Sequence, residues 1–419
     1  MRIVLGLLVF GLAVGLLAWA GNGLKPPETV RFATGIDGGG YWQIGQRYRF
    51  ALARDDIDVT LVETAGSIEN IEKLIAGDVD VALVQGGIAI AEENGLQSLG
   101  AIFLEPISIF HSRQVSFAAN PGEWNDVKLA AGPEGSGTRA AARALIKAAE
   151  LSGAGIELLP IGGMDALAAL RTGEANAVMF VSPLGTSYLT EAIQNPEFLH
   201  VPLSLVEALA LKLPGARATA IPAGALTIFP PQPAEEIKFL SLRASLVARE
   251  GLHPAVVDRF VQAAIRLHSD RDVLHGFREY PSAESPPVPL NEAARQLILS
   301  GPNMLHGLFP YWIAAQFGRV LLLILPLLFI LPPIMRALPA VYVWFQKRRI
   351  WRHYQRISAF ETELAEASSQ EEITQISEKI DQLDKSLAEL KLPLAYRQGA
   401  YEARVHIGLI RQEIARRTS

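Results

Sequence analysis

Two uninterrupted apolar runs frame the chain, and between them short apolar stretches alternate strand and helix periods. The first run, Ile3–Ala20, follows the single charge of Arg2 and contains no acid or base. Its length suits the core of a secretory signal, with Ala18-Trp19-Ala20 ahead of Gly21 as a small-x-small cleavage site. The alternative is an uncleaved anchor, because the run approaches the roughly 20 residues that span a bilayer. The stretch from Asn22 to Pro27 reads as a linker, which argues against a buried core helix. Residues 1–20 are therefore expected to be a signal peptide or an N-terminal membrane anchor, and either would export the domain that begins near Glu28.

The second run, Val320–Leu338, carries one charge, Arg336, close enough to a helix end to reach the interface. Pro326, Pro332 and Pro333 would break a helix in water, but a membrane span tolerates them as kinks. Arg336 near the end of the run and Lys347, Arg348, Arg349, Arg352 and Arg356 beyond it, with no acid before Glu361, place the C-terminal side in the cytoplasm. Tyr342, Trp344, Trp351 and Tyr354 suit an interfacial belt on that side. The pattern predicts a transmembrane segment over 320–338 and a cytoplasmic segment over 339–419.

Between the runs, Thr29–Thr34, Val59–Thr64 and Val79–Val84 read as strands, separated by helical periods over Gln43–Arg54 and Ile68–Ala76. A second set begins at Lys128–Ala131 and continues through Arg139–Glu150, Ile156–Ile161, Met164–Thr172 and Ala175–Val181. Repeated βαβ of this kind implies parallel sheet with helices on both faces. Two such units predict an α/β, two-lobed clamshell over 28–315. Lobe 1 is assigned about 28–118 plus 220–315, and lobe 2 about 119–219. Ligands are expected beyond the carboxyl ends of the strands.

The loops at those ends are Thr34-Gly-Ile-Asp-Gly-Gly-Gly-Tyr-Trp42, Glu63-Thr-Ala-Gly-Ser-Ile-Glu-Asn70, Gln85-Gly-Gly87 and Gly132-Pro-Glu-Gly-Ser-Gly-Thr-Arg139. Glycine admits a close ligand, while a helix N-terminus offers free N–H donors and partial positive charge. The hydroxyls of Ser67, Ser136 and Thr138 add donors, although each also fits a plain helix cap. Arg139 has the geometry to clamp a carboxylate, or else is a solvated first-turn arginine. Tyr41 and Trp42 are either cavity walls or ordinary core aromatics.

Composition removes other chemistry. There is no cysteine, so thiolate metal sites and disulfides are absent. The formal net charge of -5 supplies no basic field for nucleic acid. No Lys-Ser/Thr follows a Gly-rich loop, and no His-rich metal spacing or G-x-S-x-G elbow occurs. No cofactor is expected, and an enzyme is the weaker reading. His253 and His268 fall in an amphipathic helical stretch and read as structural.

The order of Thr34-Gly-Ile-Asp-Gly-Gly-Gly-Tyr41, Thr64-Ala-Gly-Ser-Ile-Glu-Asn70, Gly77-Asp-Val-Asp-Val-Ala-Leu-Val-Gln-Gly86 and Gly132-Pro-Glu-Gly-Ser-Gly-Thr138 resembles the TAXI family. These are the solute-binding proteins of TRAP transporters. Phe309-Pro-Tyr-Trp-Ile-Ala314, the second apolar run and Lys347-Arg-Arg-Ile-Trp-Arg-His-Tyr354 resemble its membrane-anchored branch. The resemblance implies a receptor at the bacterial inner membrane, its binding domain extracytoplasmic, for a small anionic solute such as a carboxylate or acidic amino acid. It also implies contacts from Thr34, Gly39, Tyr41, Gly66, Ser67, Asn70, Gln85, Ser136, Gly137 and Thr138. The partner would be a TRAP-type permease; the alternative is a sensor that passes occupancy to a cytoplasmic signalling partner.

In the tail, Ile373, Ile376, Ile380, Leu383, Leu387 and Leu390 step by threes and fours, an a/d seam of about three heptads. Pro393 ends it, and a second helix is expected from Ala395 to Arg416 with Tyr401, Val405 and Leu409 on one face. A helical hairpin within one chain satisfies this pattern, and so does a homodimer through the tail.

Overall fold

Strand order follows from the two βαβ units and from two long strands that the loop-based pattern did not delimit. The computed structural model describes residue 15 and residues 25–418, apart from 226, 285, 303, 391 and 392, with backbone alone at some positions between 307 and 338 and at 395. The expected leader or anchor at 1–20 lies outside the described residues, Gly15 excepted.

In the first sheet β1 (Thr29–Ala33) lies between β2 (Asp58–Val62) and β3 (Val81–Gln85), all parallel. The helices α1 (Gly40–Ala53) and α2 (Ser67–Ala76) make the crossovers. On α2 the buried residues are Ser67, Asn70, Ile71 and Leu74, the i, i+3, i+4, i+7 stripe of a helix lying on a sheet.

The strands β4 (Leu96–Ser112) and β10 (Ile237–Arg249) then enter antiparallel, β10 pairing with both β3 and β4. From Leu96 to Pro106 β4 pairs with β10, and from Ile107 to His111 with β7 (Ala177–Val181) of the second sheet. Pro106, which has no N–H to donate, sits where β4 changes partner.

The second sheet continues through β5 (Lys128–Ala130) to β6 (Glu157–Leu159), both parallel to β7. Its crossovers are α3 (Gly137–Ala148) and α4 (Gly163–Thr172), and α5 (Ser187–Gln194) follows β7. The short β8 (Phe198–His200) joins the end of β4, α6 (Val206–Lys212) comes next, and β9 (Ala216–Ile221) pairs with β10. The expectation of purely parallel sheet is thus corrected: the fold is α/β, two-lobed and periplasmic-binding-protein-like, with mixed sheets. An apolar run announces a strand but carries no direction, which pairing alone decides.

Each lobe has its own core. Phe32, Tyr48, Leu52 and Phe260 anchor one, with α7 (Pro254–His268) and α8 (Glu292–Ser300) packed against the sheet. Ile109, Trp124, Leu145 and Met179 anchor the other. His253 N-caps α7, its Nδ1 accepting from the Ala255 amide at 3.2 Å. A four-residue turn, α9 (Tyr311–Ala314), closes this unit, which spans Gly23–Phe317.

Two buried histidines make its stability acid-sensitive. His268 lies between the rings of Tyr48 and Phe103, and burial lowers its pKa to about 3. His200 packs on Phe110 and Phe239 and is lowered to about 4 by the same cause. Unfolded imidazoles take a proton below about pH 6.5 while these stay neutral, so stability is complete above that pH and falls on acidification. By pH 5 each ring is expected to cost roughly 2 kcal/mol, at about 1.4 kcal/mol for each pH unit below 6.5. Melting of the full-length chain from pH 7 to pH 5 checks this. A His200→Phe, His268→Phe double variant should keep most of the lost stability, and an unaltered acid slope would refute the assignment.

The C-terminal unit is helical. It comprises α10 (Phe317–Glu366), α11 (Gln370–Ala388) and α12 (Arg397–Thr418). A capping box at Ser369 and Glu372 starts α11. Its seam residues Ile373, Ile376, Ile380, Leu383 and Leu387 are buried against Ile357 and Leu364 of α10 and against Ala403, Ile407, Ile410 and Ile414 of α12. Tyr401, Val405 and Leu409 share a face of α12 that is exposed, at 71%, 48% and 58%. The Ala403, Ile407, Ile410 and Ile414 stripe packs inward instead, and Arg404 and Arg411 flank it with ion pairs to Asp384 and Asp381. The run Val320–Leu338 is helical within α10, but among the described residues no helix is long and apolar enough to cross a membrane.

Candidate functional site

The carboxyl ends of β1, β2, β3, β5 and β7 point into one cavity between the lobes, with a volume of about 100 Å³. Eight of the eleven residues singled out in the sequence line it: Gly39, Tyr41, Gly66, Ser67, Gln85, Ser136, Gly137 and Thr138. The helices α1 and α4 start at the cavity with glycine at the N-cap, Gly39 and Gly162, and no side-chain cap. Their first-turn amides and dipoles face a space that favours negative charge.

The other loops are tied down by their own hydroxyls. Ser136 caps α3, its Oγ accepting from the Arg139 amide at 3.2 Å. Ser67 Oγ accepts from the Gln85 amide at 3.0 Å, and Thr138 Oγ1 from the Val181 amide at 3.4 Å.

Three expected contacts are not at the cavity, and each has a structural reason. Asn70 is fully buried, donating from Nδ2 to the carbonyls of Thr34 and Leu83 at 2.7 Å each. Its Oδ1 accepts from Thr64 Oγ1 at 2.6 Å, so Asn70 binds three strand ends together rather than a ligand. Thr34 is equally buried and turns its hydroxyl to the Val62 carbonyl at 3.4 Å. Arg139 lies behind the loop it follows, donating to the carbonyls of Gly132 and Leu158 at 3.3 and 3.1 Å. Its Nε sits 2.8 Å from Glu134 as an ion pair rather than an aligned hydrogen bond. Trp42 does not line the cavity either.

The lobes are closed on each other. Gly135 offers its carbonyl to the amide of Ile68 at 3.0 Å, so the second lobe occupies the N-terminus of α2. Gln85 Nε2 donates to the Gly137 carbonyl at 2.9 Å. At Gly66, with φ of 136°, a Cβ would come within 3.1 Å of the Ser136 Cα, so the approach needs glycine.

Sequence reasoning missed Glu105, Ser182 and Tyr188, which also line the cavity. Glu105 lies on β4, is 1% exposed and accepts from the Tyr41 hydroxyl at 2.7 Å. Burial pushes its carboxyl up to about 8, against the opposing pull of the Tyr41 hydrogen bond. Burial likewise raises Tyr41 and Tyr188 above the usual phenol range. Among the described lining residues Glu105 is the one acid, and no Lys, Arg or His appears. The available signal was a lone acid inside the apolar stretch Leu96–Ser112.

Comparison with sequence families then decides the assignment, because the profile of the NMT1-like family matches residues 32–295, more than half of the chain. The chain belongs to the NMT1-like family. That match runs from β1 into α8, the whole frame around the cavity. None of the curated proteins compared matches the sequence. Among solved structures, this NMT1-like chain is similar to the GluR0 ligand-binding core of Nostoc punctiforme in complex with L-glutamate. There the identity is 16%, with 57% of this chain and 92% of that one covered, at a TM-score of 0.37. It is also similar to the arginine-bound ArgBP of T. maritima, at 13% identity, 57% and 96% coverage and a TM-score of 0.36. A third is the CcmR regulatory domain of Synechocystis PCC6803 with 2-PG, at 15%, 58% and 98%, with a TM-score of 0.39.

Proposed function

We propose that this protein is a membrane-tethered, extracytoplasmic solute-binding protein of TAXI type. It captures a small anionic solute, a carboxylate or acidic amino acid, and presents it to a TRAP-type transporter. The observation that carries the reading is the closed interlobe cavity onto which the uncapped N-termini of α1 and α4 open. Backbone amides and helix dipoles hold a carboxylate without a basic side chain. Closure of the lobes around the solute gives the transporter a shape to recognise. The tether is supported by the apolar sequence of 320–338, helical within α10, and by its basic flank.

Thermal melting of the full-length protein in detergent, with carboxylates and amino acids added singly, tests the capture. A ligand at 100 times its Kd is expected to stabilise by about 2.7 kcal/mol, a readable shift in Tm. A panel of dicarboxylates, 2-oxo acids and the twenty amino acids that moved Tm nowhere would remove the proposal.

The exposed Tyr401, Val405 and Leu409 on α12 favour a second reading, a sensor whose tail meets a cytoplasmic partner or a second copy. Truncation after residue 366 separates the two. Solute uptake that survives it supports delivery, while loss of a solute-dependent cellular response with uptake intact supports sensing.

A further inference from the structure

The cavity holds one ionisable carboxyl, and no cationic side chain among the described residues lines it. Glu105 sits on β4 where that strand passes between the lobes, opposite Leu242 of β10. The titratable groups facing it are Tyr41 of α1, hydrogen-bonded at 2.7 Å, and Tyr188 of α5. The elements that complete the wall bring Ser67, Gln85, Met179 and Ser182, none charged. A bare carboxylate placed here lacks a counter-ion, yet the same cavity is built from helix N-termini suited to an anion.

Both features are satisfied by a ligand with a carboxylate for the helix ends and a protonated amine for Glu105. Resting on the capture reading above, we propose that the ligand is an amino acid whose ammonium group pairs with Glu105. Entry of the ammonium makes this wall carboxyl release its proton to bulk solvent. The exchange balances: Glu105 as neutral acid plus ligand ammonium gives carboxylate–ammonium pair plus one proton in solution. The raised pKa, about 8 from burial, means that the empty site carries the proton at neutral pH. A buried cation roughly 3–4 Å away reverses that preference, because opposite charges attract strongly where water is excluded.

Linkage gives the sign. Amino-acid affinity rises about tenfold per pH unit from about pH 6 to about pH 7.5, since binding is coupled to proton loss, and flattens above about pH 8. A carboxylate lacking the amine shows the opposite trend, because it binds best beside the neutral acid.

The test is calorimetry on the full-length protein in detergent. It uses the twenty amino acids and, for each binder, the matching des-amino carboxylate, in buffers of different ionisation enthalpy. Expected are at least tenfold tighter binding of the amine-bearing ligand and release of close to one proton per ligand at pH 7. Glu105→Gln, which keeps an acceptor for Tyr41, should lose both the proton release and the preference while still binding the des-amino acid. Equal binding of the two ligand types, or proton release that persists in Glu105→Gln, overturns the inference and leaves the receptor reading standing. Absence of binding by any probe overturns the receptor reading, and this inference with it.

Discussion

Gly40→Val is expected to hold the lobes apart and to abolish ligand-induced stabilisation while the protein still folds. A Cβ at Gly40 would stand 2.9 Å from both the Pro183 Cδ and the Thr186 Cγ2 of the opposite lobe, with the Pro183 Cγ at 3.6 Å. A proline ring and a β-branched methyl on a short loop have little room to yield, and valine adds two methyls to the clash. The substitution is otherwise mild. Gly40 is the first residue of α1, its φ is not positive, and valine has the better helix propensity. The loss therefore falls on closure, not on the fold. Separating the lobes also withdraws the Gly40 amide from the Tyr188 hydroxyl and the Gly135 carbonyl from α2. We expect at least a hundredfold weaker binding, about 2.7 kcal/mol. Calorimetry on wild type and variant checks it; equal affinities would mean that ligand is held in the open form.

Asn70→Leu carries the largest expected loss of stability. The side chain is fully buried and satisfies the Thr34 and Leu83 carbonyls and the Thr64 hydroxyl at once. Leucine matches its volume but not its donors, leaving polar groups on three strand ends without that partner. At roughly 1–3 kcal/mol for each of the three buried groups left unpartnered, the total is about 3–9 kcal/mol, or roughly 10 °C or more in Tm. Asn70→Asp should be at least as damaging, because it sets a carboxylate against two carbonyls. A fall of less than about 1 kcal/mol in urea unfolding for both variants would show that the strand ends are held some other way.

The two positions illustrate how far the site was legible. Glycine and hydroxyl residues at strand ends pointed to the cavity, because βαβ geometry sends every such loop to the same edge. Within each loop, however, composition does not say which way a side chain turns. Asn70 falls on the buried stripe of α2, between Ser67 and Ile71, so its helical position rather than its chemistry reveals its role. Arg139 has a carboxylate binder's chemistry, yet its place in the first turn of α3 aims it behind the loop, onto Gly132 and Leu158. Glu105 went unread because it belongs to no loop motif. Its place at the wall arises from a strand that crosses between sheets.

The periodicities of the sequence by themselves determined the two βαβ units, the helical tail seam and the cluster of glycine-rich strand ends, because each is a local pattern of burial every second or every third to fourth residue. Only the tertiary structure decided strand direction in β4 and β10, the inward face of α12, the closed approach of Gly40 and Gly66 to the second lobe, and the burial of Glu105 beside Tyr41. Those depend on contacts between residues far apart along the chain, and no local period encodes which distant surfaces meet.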